Sequence, residues 1–157
     1  MENLKAREYF EGVARAARAR DEAAAELREI ESGGVSGVSY DGAGHGSSDA
    51  ADKVLGIMAK TAGLEKTIET SSRIMDEALA LLYGDNHRGG VAKALGCTFA
   101  DVLAAHYLDG QSLRDIMEHE RKIDGMRFAS AGHVQYYRDK ALRWLDENER
   151  AFFVQKW

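Results

Sequence analysis

At 157 residues the chain has room for one ordinary domain, or for a small domain with a long helical appendage. Its net charge of −5 excludes attraction of the whole molecule to nucleic acid, so any such affinity needs a local basic surface. One cysteine excludes an internal disulfide framework and a cysteine-built zinc site, and no apolar run approaches the roughly 20 residues that cross a bilayer.

Proline is absent, and glycine is concentrated in 33–46 and 84–96, so long segments carry no helix breaker. The expected class is all-α. No N-terminal signal pattern is visible, which together with the lone thiol predicts a cytoplasmic protein.

From Asn3 to Glu31, Leu4, Phe10, Val13, Ala17, Ala24 and Leu27 recur at three- and four-residue steps between charged positions. That spacing predicts one long amphipathic helix with a thin, alanine-rich stripe. Residues 32–48 read as a Gly/Ser-rich loop. Ser48 or Asp49 then caps a second helix to about Tyr83, with Val54, Leu55, Ile57, Met58, Leu64, Ile68, Met75, Leu79 and Leu82 as its apolar positions. Residues 1–83 are therefore expected to form a helical hairpin, coiled-coil-like, that drives homo-oligomerisation. A plain helical spacer is the alternative.

Residues 84–98 read as a turn (GDNHRGG) and a linker helix. After the turn, from Val91 on, two helix-turn-helix frames overlap. The first, Val91–Val102, has Gly96 at the turn and Thr98 as cap. Its second helix, Phe99–Leu108, has no lysine or arginine and reads as a buried helix. The second frame begins with that helix. Phe99, Val102, Leu103 and Tyr107 form its apolar side, and Asp109-Gly110 ends it. Ser112 opens a capping box with Asp115 at the start of a short helix, Leu113–His119, with Leu113, Ile116 and Met117 inward. A turn covers 120–129. Ser130 then caps a last helix to about Glu149, with Val134, Tyr137, Ala141, Leu142 and Leu145 inward.

The outward set on this last helix is His133, Gln135, Tyr136, Arg138, Lys140 and Arg143, and Asp139 is its one acid before Leu145. Cationic and amide side chains on one helix face suit phosphates and base edges. The same pattern is also that of an ordinary solvated face. Against DNA stands the balance of 97–157, which holds nine Lys/Arg and ten Asp/Glu.

The stretch Tyr107-Leu108-Asp109-Gly110-Gln111-Ser112-Leu113-Arg114-Asp115-Ile116 resembles the "YL-x-G-x-S-x-x-E-I" segment of sigma factor region-four-like domains. Ser130, Val134 and Lys140-Ala141-Leu142 with Leu145 resemble the recognition helix of those domains. In layout the whole chain is similar to small phage-encoded regulators of the ArpU/RinA-like kind. The resemblance implies a prophage-borne transcriptional regulator with a region-four-like domain at 99–157. One departure is the spacing from Ile116 to Val134, which is several residues longer than in the standard motif. The excess in 119–128 carries Arg121, Lys122 and Arg127, and reads either as an elongated turn or as an extended second helix.

Elsewhere no phosphate-binding loop, metal-ligand spacing or catalytic constellation is apparent, so neither an enzyme nor a cofactor is expected. Cys97 reads as a small buried thiol and His106 and His119 as ordinary surface or half-buried residues. The expected partner is double-stranded DNA, through Ser130, His133, Gln135 and Tyr136 at base edges. Arg138, Lys140, Arg143, Arg121, Lys122 and Arg127 would hold phosphates. The alternatives are a protein–protein module that contacts RNA polymerase without reading DNA, or a phage terminase small subunit.

Overall fold

The structure, a computed structural model, describes residues 4–34, 47–84, 89–124 and 128–148. Its elements are all helical, so the class is all-α as the spacing predicts. They are α1 (Leu4–Glu29) with a π-helical turn (Ile30–Gly34), α2 (Ser47–Tyr83), α3 (Gly90–Leu95), α4 (Cys97–Leu103) continued by a π-helical turn (Ala104–Leu108), α5 (Leu113–Asp124) and α6 (Ala131–Glu147). Helix α1 packs with α2. No described helix is long and apolar enough to cross a membrane.

The chain divides into two compact units. The first joins residues 1–17 to 73–157. Here the opening turns of α1 and the closing turns of α2 share one core with α3, α4 and α6. Ala6, Phe10, Val13 and Ala17 repeat at steps of four, three and four, and all are buried. So are Met75, Ala78 and Leu82, at steps of three and four on α2. The same cluster takes in Leu103 and Tyr107 after α3, and Leu142 and Leu145 of α6. The Phe10 ring lies 5.4 Å from that of Tyr107, centroid to centroid. A smaller cluster of Val102, Ile116, Phe128 and Val134 fixes α4, α5 and α6 against one another.

The first turn of α1 has no acid of its own. Asp146 of α6 supplies one, accepting the Ala6 N–H at 2.8 Å. A carboxylate there satisfies an otherwise orphaned donor and sits at the positive end of the helix dipole.

The reversal from α2 to α3 depends on glycine. Gly84 and Gly90 have φ of 75° and 63°. A Cβ on Gly84 would come within 2.6 Å of the Gly89 Cα, and one on Gly90 would meet the Leu81 carbonyl oxygen.

Two local expectations hold atom by atom. Ser112 N–H donates to Asp115 Oδ2 at 3.3 Å, and Asp115 N–H donates to Ser112 Oγ at 3.1 Å, which is the reciprocal box. Ser130 Oγ accepts the His133 N–H at 3.2 Å and caps α6. Truncation Ser130→Ala is expected to cost about 1 kcal/mol of stability, read from denaturant unfolding. No measurable loss would mean the cap contributes nothing.

Three readings are corrected. Thr98 does not cap: Gly96, at φ 116°, turns the chain in one residue, so α4 starts at Cys97 and Thr98 is already helical. Cys97 is not a buried thiol but exposed, because Ala100 and Leu103 take the inward positions of that helix. Of the two readings of 119–128, the extended second helix is the one observed, so the helix does not stop at His119. It runs to Asp124, and this extension takes up part of the excess length before α6. Neither Ser48 nor Asp49 caps α2: the helix already begins at Ser47, so both are helical residues, and their side chains lie outside the described residues.

Burial also sets a pH dependence for the first unit. Desolvation, reinforced by nearby Glu77, pushes the Tyr9 hydroxyl up to about 12. Desolvation raises Tyr83 and Tyr107 as well, and for Tyr83 a hydrogen bond to Asp101 adds to it. An unfolded tyrosine ionises near 10. The folded state therefore holds these protons more tightly than the unfolded chain. Its stabilisation is complete below pH 10 and is lost as pH rises towards about 12. We expect the melting temperature to fall through that alkaline range, and to fall less in Tyr9→Phe. Identical alkaline profiles for the two proteins would contradict this.

The second unit, 18–72, has almost no core. Among its described residues only Ala23 and Ser71 are buried. Ala24 and Leu27 of α1, and Ile57, Thr61, Leu64 and Ile68 of α2, are half-buried at three- and four-residue steps. Lys60 Nζ meets Glu26 Oε1 at 2.6 Å, but both side chains are largely exposed and such a pair contributes little.

Candidate nucleic-acid interface

Helix α6 carries the outward residues, and its neighbours decide which remain available. Val134, Ala141, Leu142 and Leu145 are buried, which fixes the inward face. The opposite face presents Gly132, Gln135, Tyr136, Lys140 and Arg143, all exposed. Tyr136 is 54% exposed, a large value for an aromatic ring. Steps of four, four and three along Gly132, Tyr136, Lys140 and Arg143 align them on one side of the helix.

Lys140 is held over rings. Its Nζ lies 5.6 Å from the Phe99 centroid and 5.7 Å from that of Tyr136, and it donates to the Tyr136 hydroxyl at 3.4 Å. Such contacts orient an ammonium without neutralising it. Phe99 thus reaches from α4 to the outer face of α6, a role its place on an apolar helix side did not signal. Neither Lys140 nor Arg143 forms an ion pair with an acid among the described residues.

The other predicted residues are placed differently. Arg138 is only 12% exposed in its side chain and pairs with Asp139, Nε to Oδ1, at 3.0 Å. It sits four residues after Val134 and four before Leu142, in the middle of the inward face, so it is withdrawn from the outward set. That periodicity was readable in the sequence. His133 is half-buried in an aromatic cluster, 5.0 Å from the Tyr137 ring and 5.8 Å from Phe128. Its Nδ1 accepts the Ala129 N–H at 3.4 Å. Ser130 is exposed, with its oxygen engaged as the cap. The side chains of Arg121 and Lys122, and the whole of Arg127, lie outside the described residues.

A cleft of about 250 Å³ lies on another side of this unit, lined by Tyr83, Asp101, Asp109, His119 and Phe128 among others. Tyr83 donates to Asp101 Oδ1 at 2.5 Å there. Two carboxylates, with no lysine or arginine among the described lining residues, make it a poor seat for a phosphate. His106 donates from Nδ1 to the Gln111 carbonyl at 2.8 Å, closing the turn before α5. Among the described residues no group of three or more His, Cys, Asp or Glu could hold a metal ion.

No protein family, curated protein or solved structure matches this chain.

Proposed function

We propose that the chain is a double-stranded-DNA-binding transcriptional regulator that docks through the exposed face of α6. The observation that carries this reading is the Gln135, Tyr136, Lys140 and Arg143 face: an amide, an aromatic and two cations without acidic partners among the described residues, on one side of one helix. An amide suits the adenine edge, cations suit phosphates, and a helix of this width fits the major groove. Helices α5 and α6, successive along the chain and packed with α4 around one cluster, are the arrangement a region-four-like domain would need. A prophage-borne regulator of late genes fits the same features and the layout of the chain. Gel-shift assays with DNA from upstream of its own gene test the proposal. Salt-sensitive, saturable binding is expected, and the absence of any shift would overturn it.

A second reading has its own support. The chain is acidic overall, and with Arg138 turned inward the described part of α6 offers two cations to DNA. The exposed Tyr136 edge would equally suit a protein contact, with RNA polymerase as the partner. Recovery of polymerase by the purified protein after nuclease treatment, with no gel shift, selects this reading.

A further inference from the structure

We infer that the first half of α2 is a self-association surface, on which a second copy of the same helix lies antiparallel. The inference stands apart from the DNA reading, and its test contains no DNA.

Val54, Leu55 and Met58 are exposed by 46%, 61% and 62%. Ala51 and Ala62 are exposed on the same face. Ala51, Leu55, Met58 and Ala62 follow steps of four, three and four, the spacing of a coiled-coil seam. At 100° per residue this stripe lies about a third of a turn from the Ile57, Thr61, Leu64 and Ile68 face that packs towards α1. The charged residues of this stretch, Asp52, Lys53 and Lys60, all fall off the stripe. The unit that carries it buries only Ala23 and Ser71 among its described residues. Helices with so little tertiary burial are marginal in water, so covering the stripe stabilises the whole hairpin.

The ends of the stripe choose the occupant and its direction. Glu65 and Glu69 are the next two positions on the same seam, and both are exposed. Parallel copies would set Glu65 against the partner's Glu65 and Glu69 against the partner's Glu69, like charges facing each other. Antiparallel copies, paired so that Leu55 meets the partner's Met58 and Ala51 meets the partner's Ala62, give a different result. Glu65 then lies beside the first turn of the partner's α2, which begins at Ser47. A carboxylate is favourable at that positive helix end. The flanking Asp52 faces the partner's Ala59, so no like charges oppose. One helix is thus complementary to itself in one direction only.

Sedimentation velocity of the full chain across the micromolar range tests this. A monomer–dimer equilibrium is expected, with far-UV helicity rising as dimer forms. Leu55→Glu with Met58→Glu should leave a monomer at every concentration. Glu65→Lys, at an exposed site with no demand on folding, should weaken the dimer roughly tenfold by reversing the charge at both helix ends. A monomeric wild-type chain, or a dimer untouched by the double variant, overturns the surface. A dimer unchanged by Glu65→Lys overturns the antiparallel seating.

Discussion

Truncation Phe10→Ala is expected to lower the unfolding free energy by about 3–5 kcal/mol, the range for emptying a buried aromatic site. Phe10 has no exposed surface and packs against Tyr107 and Tyr9 rings, at 5.4 and 5.1 Å. It belongs to the first helix of the chain, yet its contacts support the helices that carry the proposed DNA face. The loss should therefore appear in the same cooperative transition that Leu103→Ala weakens, followed by tyrosine fluorescence in denaturant. A change below about 1 kcal/mol would mean that α1 is not part of this core. The consequence is architectural. Residues 1–17 and 73–157 make one unit, so a fragment that starts after α2 lacks part of its own core.

The second large effect concerns binding. If Lys140 and Arg143 each neutralise one phosphate, each contributes nearly a factor of ten in affinity at 0.1 M salt, from the counterion it releases. The variant Lys140→Ala with Arg143→Ala should then bind about 100-fold more weakly, with unchanged thermal stability, because both residues are exposed and outside the core. Fluorescence anisotropy with labelled duplex measures it. Arg138→Ala should behave in the opposite way. It loses stability first, because its partner Asp139 and the packed stem around it are left behind.

What the sequence discloses here follows how local each interaction is. The Ser112 and Ser130 caps involve residues three positions apart, so a short pattern reveals them. The helical spans follow from spacing and the absence of proline. The Asp146 cap on Ala6 joins positions 140 apart in sequence, and no local pattern marks it. Phe128 lies in a segment read as turn, yet it is buried beside Val134, because α5 continues to Asp124 and brings the chain back against the core. Arg138 was misplaced for a different reason. Its charge suggested an outward position, while its register between Val134 and Leu142 marked it as inward. Register was the better guide, since a long cationic side chain can lie along a core and place its head against one acid. Phe99 under Lys140 is again a contact between distant helices.

Of the face first expected on α6, Gln135, Tyr136, Lys140 and Arg143 remain outward, with Ser130 at its start. The central claim is that these cations meet phosphates. It is tested most directly by the salt dependence of duplex binding in the wild-type chain and in Lys140→Ala with Arg143→Ala. The account predicts a steep linear fall of log affinity with log salt concentration, and a slope shallower by about two in the variant. Equal slopes for the two proteins, or no binding to duplex by the wild-type chain at low salt, would contradict it.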